Sequence, residues 1–204
     1  MNVRLSTCRP LALAFVLVVI DQATKLAVKG FSFFGFEHKG MLLGESQRLI
    51  GETIRLTFVE NPGMAFGISW GDGKIFLTIL TVVIAVFLVV YLVRLAHAHW
   101  APRLAVTLLL AGAVGNLIDR VFYGAMYAEE SWLRGKVVDF IQVDVPDVTW
   151  LGEVYTHFPV FNVADSCVSI GIVLLILTGN KLPQNHKNEV NLDTQEHIDD
   201  KTRN

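Results

Sequence analysis

The stretch Leu104–Phe122, LAVTLLLAGAVGNLIDRVF, is apolar through its first half and then turns polar within one helical turn. Its length is close to the roughly 20 residues needed to cross a ~30 Å hydrocarbon layer, so it predicts a membrane-spanning helix. Ala111 and Gly115 have the small-xxx-small spacing that lets a neighbouring helix approach closely. Asn116, Asp119 and Arg120 follow. Asn116 and Arg120 are four apart and share a face, and Asp119 overlaps that face from three residues after Asn116. Charge at this depth marks either a functional group or an Asp-Arg anchor at the membrane boundary, and both readings stand.

Three further segments have spanning length: Leu11–Lys29, Ile75–Ala96 and Val160–Gly179. Of the 204 residues 52% are hydrophobic and 18% charged, the balance of a polytopic membrane protein. The net charge of -2, with no Lys/Arg run interleaved with aromatics, sets nucleic-acid binding aside. The first segment begins like a secretory signal, with Arg4 and Arg9 before an apolar run. No small-x-small cleavage site closes it, and Asp21, Gln22 and Lys25 interrupt its far half, so it reads as a retained helix. Cys8 and Cys167 fall at opposite depths, which argues against a disulfide.

Two stretches do not span. Ile54-Arg55-Leu56-Thr57-Phe58-Val59 alternates β-branched and aromatic residues before the turn Asn61-Pro62-Gly63, and a second strand covers about 136–145. The expected fold is an all-α integral membrane protein of four transmembrane helices with a small extracytoplasmic β-sheet and loops. Residues 1–180 form the membrane domain, and the polar stretch 181–204 forms a cytoplasmic tail. The positive-inside count is nearly a tie. The basic flanks of the short turn between the second and third helices favour termini inside, with Arg4 inside and Glu60 and Asp147 outside.

Asp139, in Val137-Val138-Asp139-Phe140, and Asp165, in Phe161-Asn162-Val163-Ala164-Asp165, sit where apolar stretches meet water. Two carboxylates that converge can share a proton and do acid-base chemistry, although each alone reads equally as a helix-end or loop charge. Asp21 lies roughly 15 Å into the first helix, with Lys25 one turn later on the same face. Both read as scaffold, paired with each other or with the polar ends of the third and fourth helices. Lys25 with Ser166 or Ser169 is a weaker serine-lysine candidate. His97 and His99 lack the acidic neighbour that would complete a zinc site. A proton path through Asp21, Asp119 and Asp165, or a non-catalytic membrane subunit, are the alternatives from other classes.

Taken in order, Asp21-Gln22-Ala23-Thr24-Lys25, Asn61-Pro62-Gly63-Met64-Ala65-Phe66-Gly67, Gly112 to Arg120, Val137 to Phe140 and Phe161 to Asp165 resemble the five motifs of lipoprotein signal peptidase. The resemblance implies an aspartyl endopeptidase of the bacterial inner membrane, with its active site on the periplasmic side and its termini in the cytoplasm. It implies cleavage of diacylglyceryl-modified prolipoproteins before the lipid-bearing cysteine, and inhibition by globomycin. Asp139 and Asp165 would be catalytic. Asn61, Gly63, Asn116, Asp119, Arg120 and Asn162 would bind substrate or support the pair, Asp119 by positioning Arg120, and Asp21 and Lys25 would be structural. No metal or other cofactor is expected, and the partners are prolipoprotein substrates and membrane lipid around a monomer. The long connections Tyr123–Val138 and Gln142–His157 depart from the family pattern without touching a motif.

Overall fold

A computed structural model describes residues 3–33, 35–63, 73–150 and 153–181. Met64–Gly67 of the second motif and the tail 182–204 lie outside the described residues. The helices are α1 (Val3–Lys29), α2 (Gly73–Arg94), α3 (Trp100–Ile118), the single turn α4 (Gly124–Met126) and α5 (Val163–Thr178). A π-helical turn, Asp119–Tyr123, joins α3 to α4. The strands are β1 (Phe31–Phe33), β2 (Phe36–His38), β3 (Ser46–Ile50), β4 (Ile54–Asn61), β5 (Val137–Trp150) and β6 (Glu153–His157).

The expected helix boundaries shift, each for a local reason. α1 starts at Val3 instead of Leu11 and runs through Pro10, because helical hydrogen bonding continues past the end of the apolar run. α3 starts at Trp100 instead of Leu104, since the ring Nδ1 of His99 accepts the Ala101 N–H at 3.3 Å and Pro102 is tolerated in a first turn. α5 starts at Val163 instead of Val160, because Asn162 and Asp165 close a capping box there. The segments 8–29, 73–94 and 100–126 are long and apolar enough to cross a membrane. At 16 residues α5 is apolar but shorter, about 24 Å at 1.5 Å per residue.

The β-structure is larger than expected. β4 and β5 pair antiparallel, as anticipated, but β5 continues to Trp150, and the sheet has four strands in the order β3-β4-β5-β6. β3 carries no apolar alternation because all five of its residues are exposed. β1 and β2 form a separate hairpin. Between Leu56 and Val59 the β4–β5 register shifts, so Thr57 and Phe58 together face one residue of β5 next to Asp139. A bulge of this kind bends a strand and re-aims its side chains.

α3 is the hub, with α1, α2 and α5 packed on it. One core cluster joins α1, α2 and α3 through Ala14, Leu88, Leu92, Val106 and Leu110. A second ties the end of α1 to the sheet and the π-turn through Val28, Phe58, Tyr123, Val138 and Phe140. The other faces of α1, α2 and α5 expose large apolar residues, among them Phe15, Phe76, Phe87, Ile172 and Ile176. A lipid layer solvates such faces, whereas in water they would be an aggregation hazard.

Gly112 and Gly115 set how closely α3 and α5 approach. A Cβ at Gly112 would lie 2.4 Å from the Ala164 carbonyl oxygen and 2.5 Å from Val168 Cγ2. Gly112→Ala should therefore push the helices apart and destabilise the fold by about 1–3 kcal/mol, measured as a lower thermal midpoint in detergent. Gly179→Ala, where an added Cβ meets nothing within 4 Å, should leave the midpoint unchanged or slightly raised. Equal midpoints for the two variants would contradict this account of the α3–α5 contact.

Candidate active site

Lys25, on α1, has no solvent exposure, and neither do Asp21 and Asp119. Its ammonium lies 2.9 Å from Asp21 Oδ2, 2.8 Å from Asp119 Oδ2 and 2.9 Å from Asn116 Oδ1. Main-chain donors and an amide also bind these two carboxyl groups. The Ala164 N–H, in the first turn of α5, donates to Asp21 Oδ1 at 2.8 Å, where the helix N-terminus favours an anion. The Val138 N–H of β5 donates to Asp119 Oδ2 at 3.2 Å, and Gln22 Nε2 donates to Asp119 Oδ1 at 2.9 Å. This cluster bolts α1, α3, α5 and β5 together.

The structure thus assigns Asp119 differently from the expectation that it positions Arg120. Its partners are Lys25, Gln22 and the Val138 N–H, because consecutive residues on a helix point in different directions. Gln22, legible in the sequence only as a polar interruption of the first helix, and Tyr123, to which the sequence assigns no role, join the cluster. The Tyr123 hydroxyl donates to Gln22 Oε1 at 3.1 Å, which the wide π-turn allows by keeping Asp119 and Tyr123 both on the buried side. A polar-tipped aromatic four residues after a buried acid was the available signal.

Above this cluster lie Asp139, on β5, and Asp165, in the first turn of α5. Asn162 links them. Its Nδ2 donates to Asp139 Oδ1 at 2.7 Å, its backbone N–H donates to Asp165 Oδ2 at 3.2 Å, and its Oδ1 accepts the Asp165 N–H at 2.9 Å. Asn116 Nδ2 donates to Asp165 Oδ1 at 2.8 Å while Asn116 Oδ1 accepts from Lys25, so the lysine fixes which way this amide points. On the other side Asn61 Nδ2 donates to Asp139 Oδ2 at 3.2 Å. Asn61 is held in turn by the Gly63 N–H, at 2.9 Å from its Oδ1, in a turn where Gly63 has a φ of +86° that favours glycine. The half-buried Arg120 is within electrostatic reach of Asp119, Asp165 and Asp139. The structure therefore brings Asp21, Lys25, Asn61, Gly63, Asn116, Asp119, Arg120, Asp139, Asn162 and Asp165 into one connected region.

The serine-lysine candidate separates in this arrangement. Ser166 Oγ donates to the Asn162 carbonyl oxygen at 3.0 Å, and the Lys25 ammonium is fully engaged by two aspartates and an asparagine. His99 is taken up by capping α3.

A further ionic cluster that the sequence reading missed braces the site from outside. Glu60, next to Asn61, binds both Lys29 and Lys136, and Lys29 also reaches Glu129 at 2.6 Å and lies over the Tyr127 ring. Burial pushes the Glu60 carboxyl up, but the bonds from Lys136 and Lys29 outweigh it and hold the group below its ordinary value.

Burial, reinforced by the nearby charge of Asp165, pushes Asp139 up from 3.8 to about 7, against the opposing bonds from Asn61 and Asn162. The folded state then holds a proton that the unfolded chain has released. This contribution to stability is complete below about pH 4 and is lost as pH rises to about 7. Asp139→Asn cannot ionise, so its thermal midpoint should gain on wild type steadily from pH 4 to pH 7 and hold a constant lead above. A lead that does not change with pH would refute the shift. Asp21→Ala should act differently, since removing one partner of a buried ion pair costs on the order of 3–5 kcal/mol. Its yield and thermal midpoint should fall more than its turnover per folded molecule. A stable, well-expressed but inactive Asp21→Ala would move Asp21 into the reacting group.

Comparison with known proteins places the chain in a family. A solved chain described as a bacterial membrane enzyme structure by the in meso method at 1.9 Å resolution superposes with a TM-score of 0.64 at 31% identity, covering 86% of this chain and 94% of the other. A lipoprotein signal peptidase of Porphyromonas gingivalis is 36% identical over 81% of this chain and 80% of its own length. One from Staphylococcus aureus is 32% identical over 87% and 91%. The family model for signal peptidase (SPase) II matches residues 13–180, and the chain belongs to that family, membrane proteases that process lipoproteins.

Proposed function

We propose that the chain is an aspartyl endopeptidase that removes the signal peptide from diacylglyceryl-modified prolipoproteins, cutting before the lipid-bearing cysteine, with Asp139 and Asp165 as the catalytic pair. The observation that carries this reading is the convergence of two carboxylates, from a strand and a helix, on the fully buried Asn162. Their surroundings divide the work. Asp139 is buried and retains a proton near neutral pH. Asp165 accepts hydrogen bonds at both oxygens, in the first turn of α5.

In this scheme Asp165 takes a proton from a water molecule as the water oxygen bonds to the scissile carbonyl carbon. Asp139 gives its proton to the carbonyl oxygen, forming a neutral tetrahedral diol. The diol collapses as Asp139 takes a proton back and Asp165 delivers its own to the leaving nitrogen, breaking the C–N bond and restoring both carboxyl groups. Asn61, Asn116 and Asn162 hold the pair in register, and Arg120 supplies positive charge beside it.

The exposed apolar faces of α2 and α5 suit diacyl chains arriving from the lipid side. In the same reading α5 is the fourth span, the termini are cytoplasmic, the protein is a monomer, and the site faces the periplasm across the inner membrane. Clustering of Asp21, Asp119, Asp139 and Asp165 at one end favours hydrolysis over an ion path, which would distribute acids across the bilayer.

Asp139→Asn and Asp165→Asn preserve size and keep one accepting oxygen but cannot exchange the proton. Each should fold near normally and lose cleavage of a purified lipidated prolipoprotein by at least ~10³-fold, about 4 kcal/mol of transition-state stabilisation. The double variant should be hardly worse than either single one. Wild-type activity should be blocked by globomycin and unaffected by EDTA. Substantial turnover by either Asn variant would remove the aspartyl pair.

A further inference from the structure

The chain between α1 and β4 stays beside the end of α1. It folds back along the last turn of α1. His38 Nε2 lies 2.9 Å from the Ala27 carbonyl oxygen, and the Met41 N–H donates to the Val28 carbonyl oxygen at 2.8 Å. Gly40 is packed so tightly on this turn that a Cβ there would come 2.3 Å from the Gly30 nitrogen. Residues 38–41 therefore sit at the depth of residues 27–30, where the spanning segment of α1 ends.

At that depth the segment sorts its side chains. Met41 packs inward against the cluster of Val28, Phe58 and Val138. Phe36, Leu42 and Leu43 point outward and are 74%, 71% and 66% exposed. Three large apolar groups exposed within eight residues form a liability in water, as do the exposed Phe15, Val16, Val19 and Ile20 of α1, the spanning segment of which ends where this chain folds back. Lys39 and Glu37 among them suit the boundary between headgroups and acyl chains.

The same turn is fastened to the site. The Gly44 N–H donates to the Phe58 carbonyl oxygen at 2.8 Å, and the Phe58 N–H donates to the Glu45 carbonyl oxygen at 3.0 Å. Phe58 is in the bulge of β4 that faces β5 beside Asp139.

We infer that Phe36, Leu42 and Leu43 form an interfacial anchor that seats in the outer lipid layer and, through the β4 bulge, sets the height of the Asp139 strand relative to the membrane. A scissile bond next to a lipid-bearing cysteine is itself confined to that layer, so the anchor matches the height of the enzyme's carboxylates to the height of the bond. The placement of the anchor rests on α1 crossing the membrane, and its effect on catalysis rests on the proposed peptidase activity.

The test introduces one cysteine at a time at Phe36, Leu42, Leu43 and, for comparison, Glu52 in the exposed β3–β4 turn, in a full-length Cys8→Ser background where the remaining Cys167 is buried and serves as the unlabelled control. Each is labelled with an environment-sensitive fluorophore and reconstituted into phosphatidylcholine/phosphatidylglycerol vesicles. Labels at 36, 42 and 43 should be blue-shifted, quenched by nitroxide lipids labelled near the headgroup, and shielded from aqueous iodide several-fold more than the label at 52. Iodide access equal to that at 52 overturns the anchor whether or not the protein is a peptidase. Crosslinking between copies through position 42 would assign the surface to self-association and overturn it as well. The triple variant Phe36→Ser/Leu42→Ser/Leu43→Ser should keep its turnover of lipidated prolipoprotein in detergent and lose it several-fold in vesicles. Equal turnover in the two settings overturns the height-setting role.

Discussion

An ammonium group with no contact with solvent, held between two equally buried carboxylates, constrains the arrangement of everything around it. Isolated, the Lys25 charge would be untenable at this depth, so α1 and α3 are obliged to bring Asp21, Asp119 and Asn116 within 3 Å of it. The spare lone pairs of those acids then recruit the first turn of α5 through the Ala164 N–H and the start of β5 through the Val138 N–H. These are the two elements that carry Asp165 and Asp139. The position of the pair follows from how a buried charge is neutralised one layer below.

That layering explains why polar groups of similar type have different duties. Asp119 and Asp139 are both buried acids, but Asp119 faces a cation and main-chain donors, whereas Asp139 faces two neutral amides and another carboxylate. The first setting ties its acid into the scaffold, and the second strengthens the hold of its acid on a proton. Asn116 belongs to both layers, since its oxygen accepts from Lys25 and its nitrogen donates to Asp165.

The sequence made the residues of the site legible, but less of their wiring. Asp21 and Lys25 are four apart on a helix, so their pairing could be read directly, and the spacing of Ala111 and Gly115 announced the close approach of a neighbouring helix. Asp119 was harder, because its hydrogen-bond partners come from α1 and β5, while its neighbour Arg120 feels its charge without bonding to it. β3 left no trace because a strand exposed on every residue has no alternation to detect. The brace of Lys29, Glu60, Glu129 and Lys136 joins residues up to a hundred positions apart and has no local signature at all. The family to which the chain belongs is evident from the motifs. The charge count, nearly balanced across the membrane, could not orient it.

Asn162 has two occupations that cannot be separated. It ends the extended chain and starts α5 by capping Asp165, and the same side chain holds Asp139. The bridge between the carboxylates therefore exists only while the first turn of α5 is wound and the β5 strand is docked against it. A chain still being inserted or folded carries both aspartates but no assembled pair. If the pair is catalytic as proposed, a membrane that manufactures this protein is shielded from a half-built hydrolase, because the contact that completes the fold is also the contact that arms it.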